Sequence, residues 1–129
     1  MARWNRISLR KACESLIERD DFSLRLATID PKIATAHIEY TWGGTKGNRN
    51  FRCTIDASQG GLIESLLHET LHIVIAPEIG DNFNTPLEEV VIRALEGDLW
   101  RKGFKTADVK KWRSLIKRKL DGTGDGRGA

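Results

Sequence analysis

The chain has 129 residues, 40% of them apolar and 30% charged, with a formal net charge of +3. That length supports one modest hydrophobic core without staples, and no apolar run approaches the roughly 18 to 20 residues that cross a bilayer. Cys13 and Cys53 form no CxxC pair, so neither a disulfide framework nor a zinc knuckle is indicated.

The opening segment, MARWNRISLRKACESLIERDD, has neither the continuous apolar core nor the small-residue cleavage site of a signal peptide. An intracellular, cytoplasmic setting is therefore expected, with reduced thiols. Ile7, Cys13, Leu16 and Ile17 recur at near-helical spacing and predict a first helix over these residues. FSLRLATID then alternates apolar and polar residues until Asp30-Pro31, and KIATAHIEYTW alternates imperfectly until Gly43-Gly44. A third extended piece, NFRCTID, follows the GGTKGNRN turn. Three short strands joined by tight turns predict a small antiparallel sheet.

Helical period returns after Asp56. Leu62, Leu66, Leu67, Leu71, Val74 and Ile75 make a wide apolar stripe ending at Pro77, with Ser58 or the Gly60-Gly61 pair as the entry. A polar loop leads to Thr85-Pro86, a cap followed by proline at the first helical position. That helix should run to about Lys102 and stop at Gly103. A last helix should begin at Thr106, with Val109, Trp112, Ile116 and Leu120 on one face. The expected fold class is thus α+β: an N-terminal helix, a three-stranded antiparallel sheet and three further helices. One domain is expected over residues 1–120, with residues 121–129 a disordered glycine-rich tail.

Charge is segregated along the chain. Residues 1–52 carry ten Lys and Arg against six acids, residues 53–98 carry nine acids and one base, Arg93, and residues 101–120 carry nine bases against Asp108 alone. Either the basic ends fold back on the acidic middle, or the basic end meets an acidic partner such as nucleic acid.

The second helix of this scheme, with the wide stripe, carries SLLHETLHIVIAP, residues 65–77. Positions four apart share a helix face, so the imidazoles of His68 and His72 can converge on one ion. This is the HExxH arrangement, in which a zinc ion held by two histidines takes a third protein ligand and leaves a fourth position for water. Glu69 stands beside the first ligand, placed to take a proton from that water and return it to a leaving amine. Two histidines could instead edge a core helix, but burying three ionisable groups costs several kcal/mol unless something satisfies them.

With its strand, turn, LLHETLH helix and following helix with early glutamates, the chain resembles the zincin metallopeptidases, in their glutamate-liganded branch, and the short HExxH proteins of phage and prophage genomes. The resemblance covers residues 50–103. It implies His68 and His72 as zinc ligands, Glu69 as general base and a glutamate of LEEVV as third ligand. No histidine follows His72, which departs from the metzincin pattern. Of Glu88 and Glu89, helical geometry favours Glu88: it lies inside the arc of Leu87, Val90, Val91, Ile92, Ala94, Leu95 and Leu99, while Glu89 points away with Arg93 and Glu96. Glu88 also completes a capping box with Thr85, which leaves Glu89 open as the ligand. The resemblance further implies that the strand before the active helix, NFRCTID, is an exposed edge along which a peptide substrate lies extended.

Other residues are read as structural. Glu64 could orient His68 or simply complement the helix dipole; His37 is structural or exposed; nothing places Tyr40 at the site; Arg93 should pair with Glu89 or Glu96. The expected function is a small zinc metallopeptidase acting on a peptide or protein substrate, without membrane binding. The alternatives are a nucleic-acid partner for the basic helix 105–120, where Trp112 is available to stack, with a zinc ion that only holds the fold, or an interaction protein with a degenerate site.

Overall fold

The structure, a computed structural model, describes residues 4–32, 34, 36–43, 48–79 and 85–123. The expected turn at 44–47, most of the loop before Thr85 and the tail from 124 lie outside the described residues. The elements run α1 (Arg6–Ile17), β1 (Phe22–Leu26), β2 (Ala36–Gly43), β3 (Asn48–Ile55), α2 (Leu62–Ile79), α3 (Pro86–Asp98), a π-helical segment (Leu99–Gly103) and α4 (Thr106–Thr123). The α+β class holds, and no described helix is long and apolar enough to cross a membrane.

The sheet is mixed, with strand order β1-β3-β2. This corrects the antiparallel expectation, because β1 pairs parallel to β3 from Phe22 opposite Phe51 to Leu26 opposite Ile55. β2 folds back antiparallel on the other side of β3, Ile38 facing Cys53 and His37 facing Thr54. The segment between β1 and β2 is therefore no hairpin turn; it spans the slot that β3 fills, two strand spacings or ~10 Å wide. Asp56 holds it there. The Asp56 carboxylate accepts from the Ile29 N–H at 3.0 Å and from Gln59 Nε2 at 2.9 Å, and Gln59 Nε2 also donates to the Ile29 carbonyl at 2.7 Å. NFRCTID is thus the central strand rather than an exposed edge, with Phe51, Cys53, Thr54 and Ile55 all buried.

The helices cover the face of the sheet that presents Phe22, Leu24, Phe51, Cys53 and Ile55. α2 lays Leu66, Leu67 and Leu71, all fully buried, into this core, each contributing about 1.5–3 kcal/mol. The glycine pair opens α2: the Gly61 carbonyl accepts from the Ser65 N–H at 3.0 Å, while Ser58 instead donates to Asp56. The helix continues past Pro77 to Ile79, because a proline in the final turn forfeits one backbone bond without breaking the rod. α3 starts at Thr85-Pro86 as expected, but Thr85 makes no side-chain cap bond; its carbonyl accepts from the Glu88 N–H at 3.0 Å. α4 continues to Thr123, so the first three residues of the expected tail are helical.

α4 is tied down by its own charges. Lys111 Nζ and Trp112 Nε1 donate to the buried Glu14 carboxylate at 3.1 and 2.8 Å, where Arg10 Nε also donates at 3.2 Å. Lys119 Nζ donates to the carbonyls of Arg19 and Phe22 at 2.6 and 3.0 Å, and Lys117 pairs with Asp121 at 3.4 Å. Trp112 is fully buried and is not available to stack on a base.

Candidate metal centre

α2 has a second face. Glu64, Ser65, His68, Glu69 and His72 turn from the leucine stripe into a cavity of about 600 Å³, closed opposite by Glu89, Arg93 and Glu96 of α3. Ala34 and Ala36, at the start of β2, form a further wall.

The two imidazoles meet through their Nε2 atoms, 3.3 Å apart, with ring planes inclined at 71°. Glu89 spans them, Oε2 lying 3.1 Å from His68 Nε2 and Oε1 3.3 Å from His72 Nε2. Each outer nitrogen has a carboxylate of its own: His68 Nδ1 donates to Glu96 Oε1 at 2.7 Å and His72 Nδ1 donates to Glu88 Oε2 at 2.8 Å. A carboxylate can only accept, so in the neutral rings the hydrogen sits on Nδ1 and both Nε2 atoms present lone pairs inward. Without a cation or an added proton, two such lone pairs and a carboxylate face one another unfavourably. His68, His72 and Glu89 are a group able to hold a metal ion. Donors placed tetrahedrally at ~2.0–2.1 Å from zinc lie ~3.3–3.4 Å apart, close to the separations of the donor atoms here.

The helical wheel correctly buried Glu88, which is 3% exposed. From that depth, however, its carboxylate reaches the Nδ1 side of His72, whereas Glu89, on the rim of the same turn, reaches the Nε2 side. The geometry therefore groups Glu89 with the two Nε2 atoms and leaves Glu88 behind His72. Glu96 takes the same part for His68, a role sequence reasoning missed. The available signal was its spacing: Glu89 and Glu96 are seven apart, two turns along one face.

Glu69 is 8% exposed and lines the cavity, with no hydrogen-bond partner among the described residues. Burial raises its pKa, and the nearby His68 and His72 only partly offset this. For His68, burial works to lower the pKa, but the Glu96 hydrogen bond and the charges of Glu69, Glu89 and Glu96 outweigh it, and the net shift is upward.

Arg93 Nε pairs with Glu89 Oε2 at 3.1 Å, one of the two pairings expected. Glu64 does not touch His68 among the described contacts; its carboxylate folds back over Gly61. His37 is exposed on β2, near enough for its charge to oppose the rise at Glu69. The side chain of Tyr40 lies outside the described residues. No protein-family model, no curated protein and no solved structure matches the chain.

Proposed function

We propose that the protein is a small zinc-dependent peptidase that hydrolyses a peptide bond with activated water. The observation that carries this is the pairing of a three-donor set, His68, His72 and Glu89, with a buried carboxylate, Glu69, that has no hydrogen-bond partner among the described residues and opens on the same cavity. Zinc, when bound, lowers the pKa of a water toward neutrality and polarises a substrate carbonyl. Glu69 accepts the proton of the attacking water and returns it to the departing amine, work favoured by the upward shift that burial gives its pKa. Glu88 and Glu96 fix the tautomer and orientation of the two rings, so that both present Nε2 without rearrangement.

For the substrate, β2 has a described neighbour on one side only, β3, and its first residue, Ala36, lines the cavity. An extended peptide pairing with that edge would pass its backbone beside the histidines. The edge is β2 in this reading, in place of the NFRCTID strand. Two buried free thiols, Cys13 and Cys53, suit an intracellular setting.

Elemental analysis and a peptidase assay test the proposal together. Wild-type protein should bind one zinc per chain and His68→Ala should bind none. Glu69→Gln should keep the metal and lose activity by roughly 10²–10⁴-fold. Full hydrolytic activity in zinc-loaded Glu69→Gln would remove Glu69 from the role given to it.

A further inference from the structure

A second cavity, about 580 Å³, adjoins the first across a shared wall made by Gly61 and Glu64. Its floor is apolar, built from Trp100, Ile116 and Leu120, and its charged lining is Arg113 and Lys117 with Glu64 and Asp121. Lys117 is engaged with Asp121, whereas Arg113 is exposed and makes no hydrogen bond or ion pair among the described residues. Trp100 is held half-buried by the π-helical segment Leu99–Gly103, its ring 5.3 Å from Phe104, which in turn lies 5.2 Å from the buried Trp112. π turns accommodate an extra residue and recur at functional sites. Here one holds Trp100 packed against the core on one side and lining the cavity on the other.

We infer that this second cavity is a substrate subsite continuous with the metal centre, taking a large apolar or aromatic side chain of the peptide while Arg113 meets an acidic neighbour. The inference rests on the peptidase reading and adds a substrate class to it. Charge differs between the two halves of the groove: Glu64, Glu69, Glu89 and Glu96 outnumber Arg93 in the first cavity, whereas in the second Arg113 and Lys117 balance Glu64 and Asp121, and Lys117 is engaged with Asp121, which leaves Arg113 as the cation open to a ligand. Spacing sets the register. Glu64 stands four residues before His68 and Gly61 seven, so at ~1.5 Å per residue the shared wall lies ~6–10 Å along α2 from the first histidine. An extended peptide covers that distance in about two to three residues, and the apolar side chain therefore belongs about that far from the bond to be cut.

The test is affinity selection from a random decapeptide library on the zinc-loaded full chain carrying Glu69→Gln, with zinc measured in every sample. The retained peptides should be enriched in Trp, Phe or Leu beside Asp or Glu. Adding Trp100→Ala should cut that enrichment about tenfold with the zinc content unchanged. Arg113→Glu, at an exposed position, should exchange the acidic preference for a basic one, and it keeps the test decisive if Trp100→Ala fails to fold. An absence of enrichment, or the same sequence profile in the variants, overturns the subsite. Peptides that carry the signature but resist cleavage by zinc-loaded wild type would overturn the peptidase reading and leave the groove in place.

Discussion

Glu14 and Glu69 are both glutamates of amphipathic helices, and both are nearly inaccessible, at 3% and 8% exposure. Glu14 is surrounded by donors: Arg10, Lys111 and Trp112 all reach its carboxylate. Glu69 has none among the described residues and opens on a cavity instead. Burying a carboxylate costs several kcal/mol unless hydrogen bonds or opposite charges compensate. At Glu14 the compensation is built from α1 and α4, so that acid joins two helices. At Glu69 the nearby imidazoles of His68 and His72 offset the cost only in part, as expected where the remaining partner is a reacting molecule rather than another part of the chain.

The sharpest way to break this comparison is to remove both acids. Glu14→Ala should destabilise the protein by about 2–3 kcal/mol, since it strands the buried Trp112 indole N–H and takes one partner from the Arg10 guanidinium, which keeps the Gly103 carbonyl and Asp108. Metal-free Glu69→Gln should be at least as stable as wild type, because it removes a buried charge that no described residue hydrogen-bonds and that the nearby imidazoles offset only in part. Urea midpoints for the two variants check this; equal losses would erase the distinction.

A smaller effect is expected behind the histidines. Glu88→Gln and Glu96→Gln should each weaken zinc binding by roughly 10–100-fold, measured by competition with a chromophoric chelator. Glu89→Gln should weaken it further, because it removes a donor rather than the group that orients one. Should Glu88→Gln prove the most damaging of the three, the ligand assignment would reverse.

The smallest effect concerns a third carboxylate, satisfied like Glu14. Asp56 is held below the usual carboxylate range by the Ile29 N–H, then by Ser58 and Gln59, against the opposing influence of burial. A depressed folded pKa contributes stability that is complete above the unfolded value, ~3.9, and is lost as pH falls through the folded one. Wild type should therefore lose stability below about pH 4, and Asp56→Asn should be flatter over that interval in urea titrations at pH 6 and pH 3. Parallel curves would show that Asp56 plays no such part.

The residue cluster was more legible in the sequence than the architecture that frames it. His68 and His72 could be read directly, because a spacing of four puts them on one helix face. Thr85-Pro86 likewise fixed where α3 begins. The sheet order could not be read, since alternation identifies strands without naming their neighbours, and the link between β1 and β2 looks like a tight turn until Asp56 and Gln59 are seen to hold it. The limits of the buried face of α3 were harder to read. Its apolar arc correctly enclosed Glu88, but Leu87 and Val90, at one side of that arc, are 51% and 64% exposed. Which carboxylate meets which imidazole nitrogen depends on that rotation, which a scale of hydrophobicity alone does not register.

Lys119 gives this fold a particular order of completion. Its ammonium holds the carbonyls of Arg19 and Phe22, so the corner between the first helix and the first strand is closed by a residue near the far end of the last helix. During synthesis on a ribosome that corner stays open until almost the whole domain has emerged. A chain truncated ahead of Lys119 would carry every histidine and glutamate of the candidate site on a scaffold whose opening corner was never fastened.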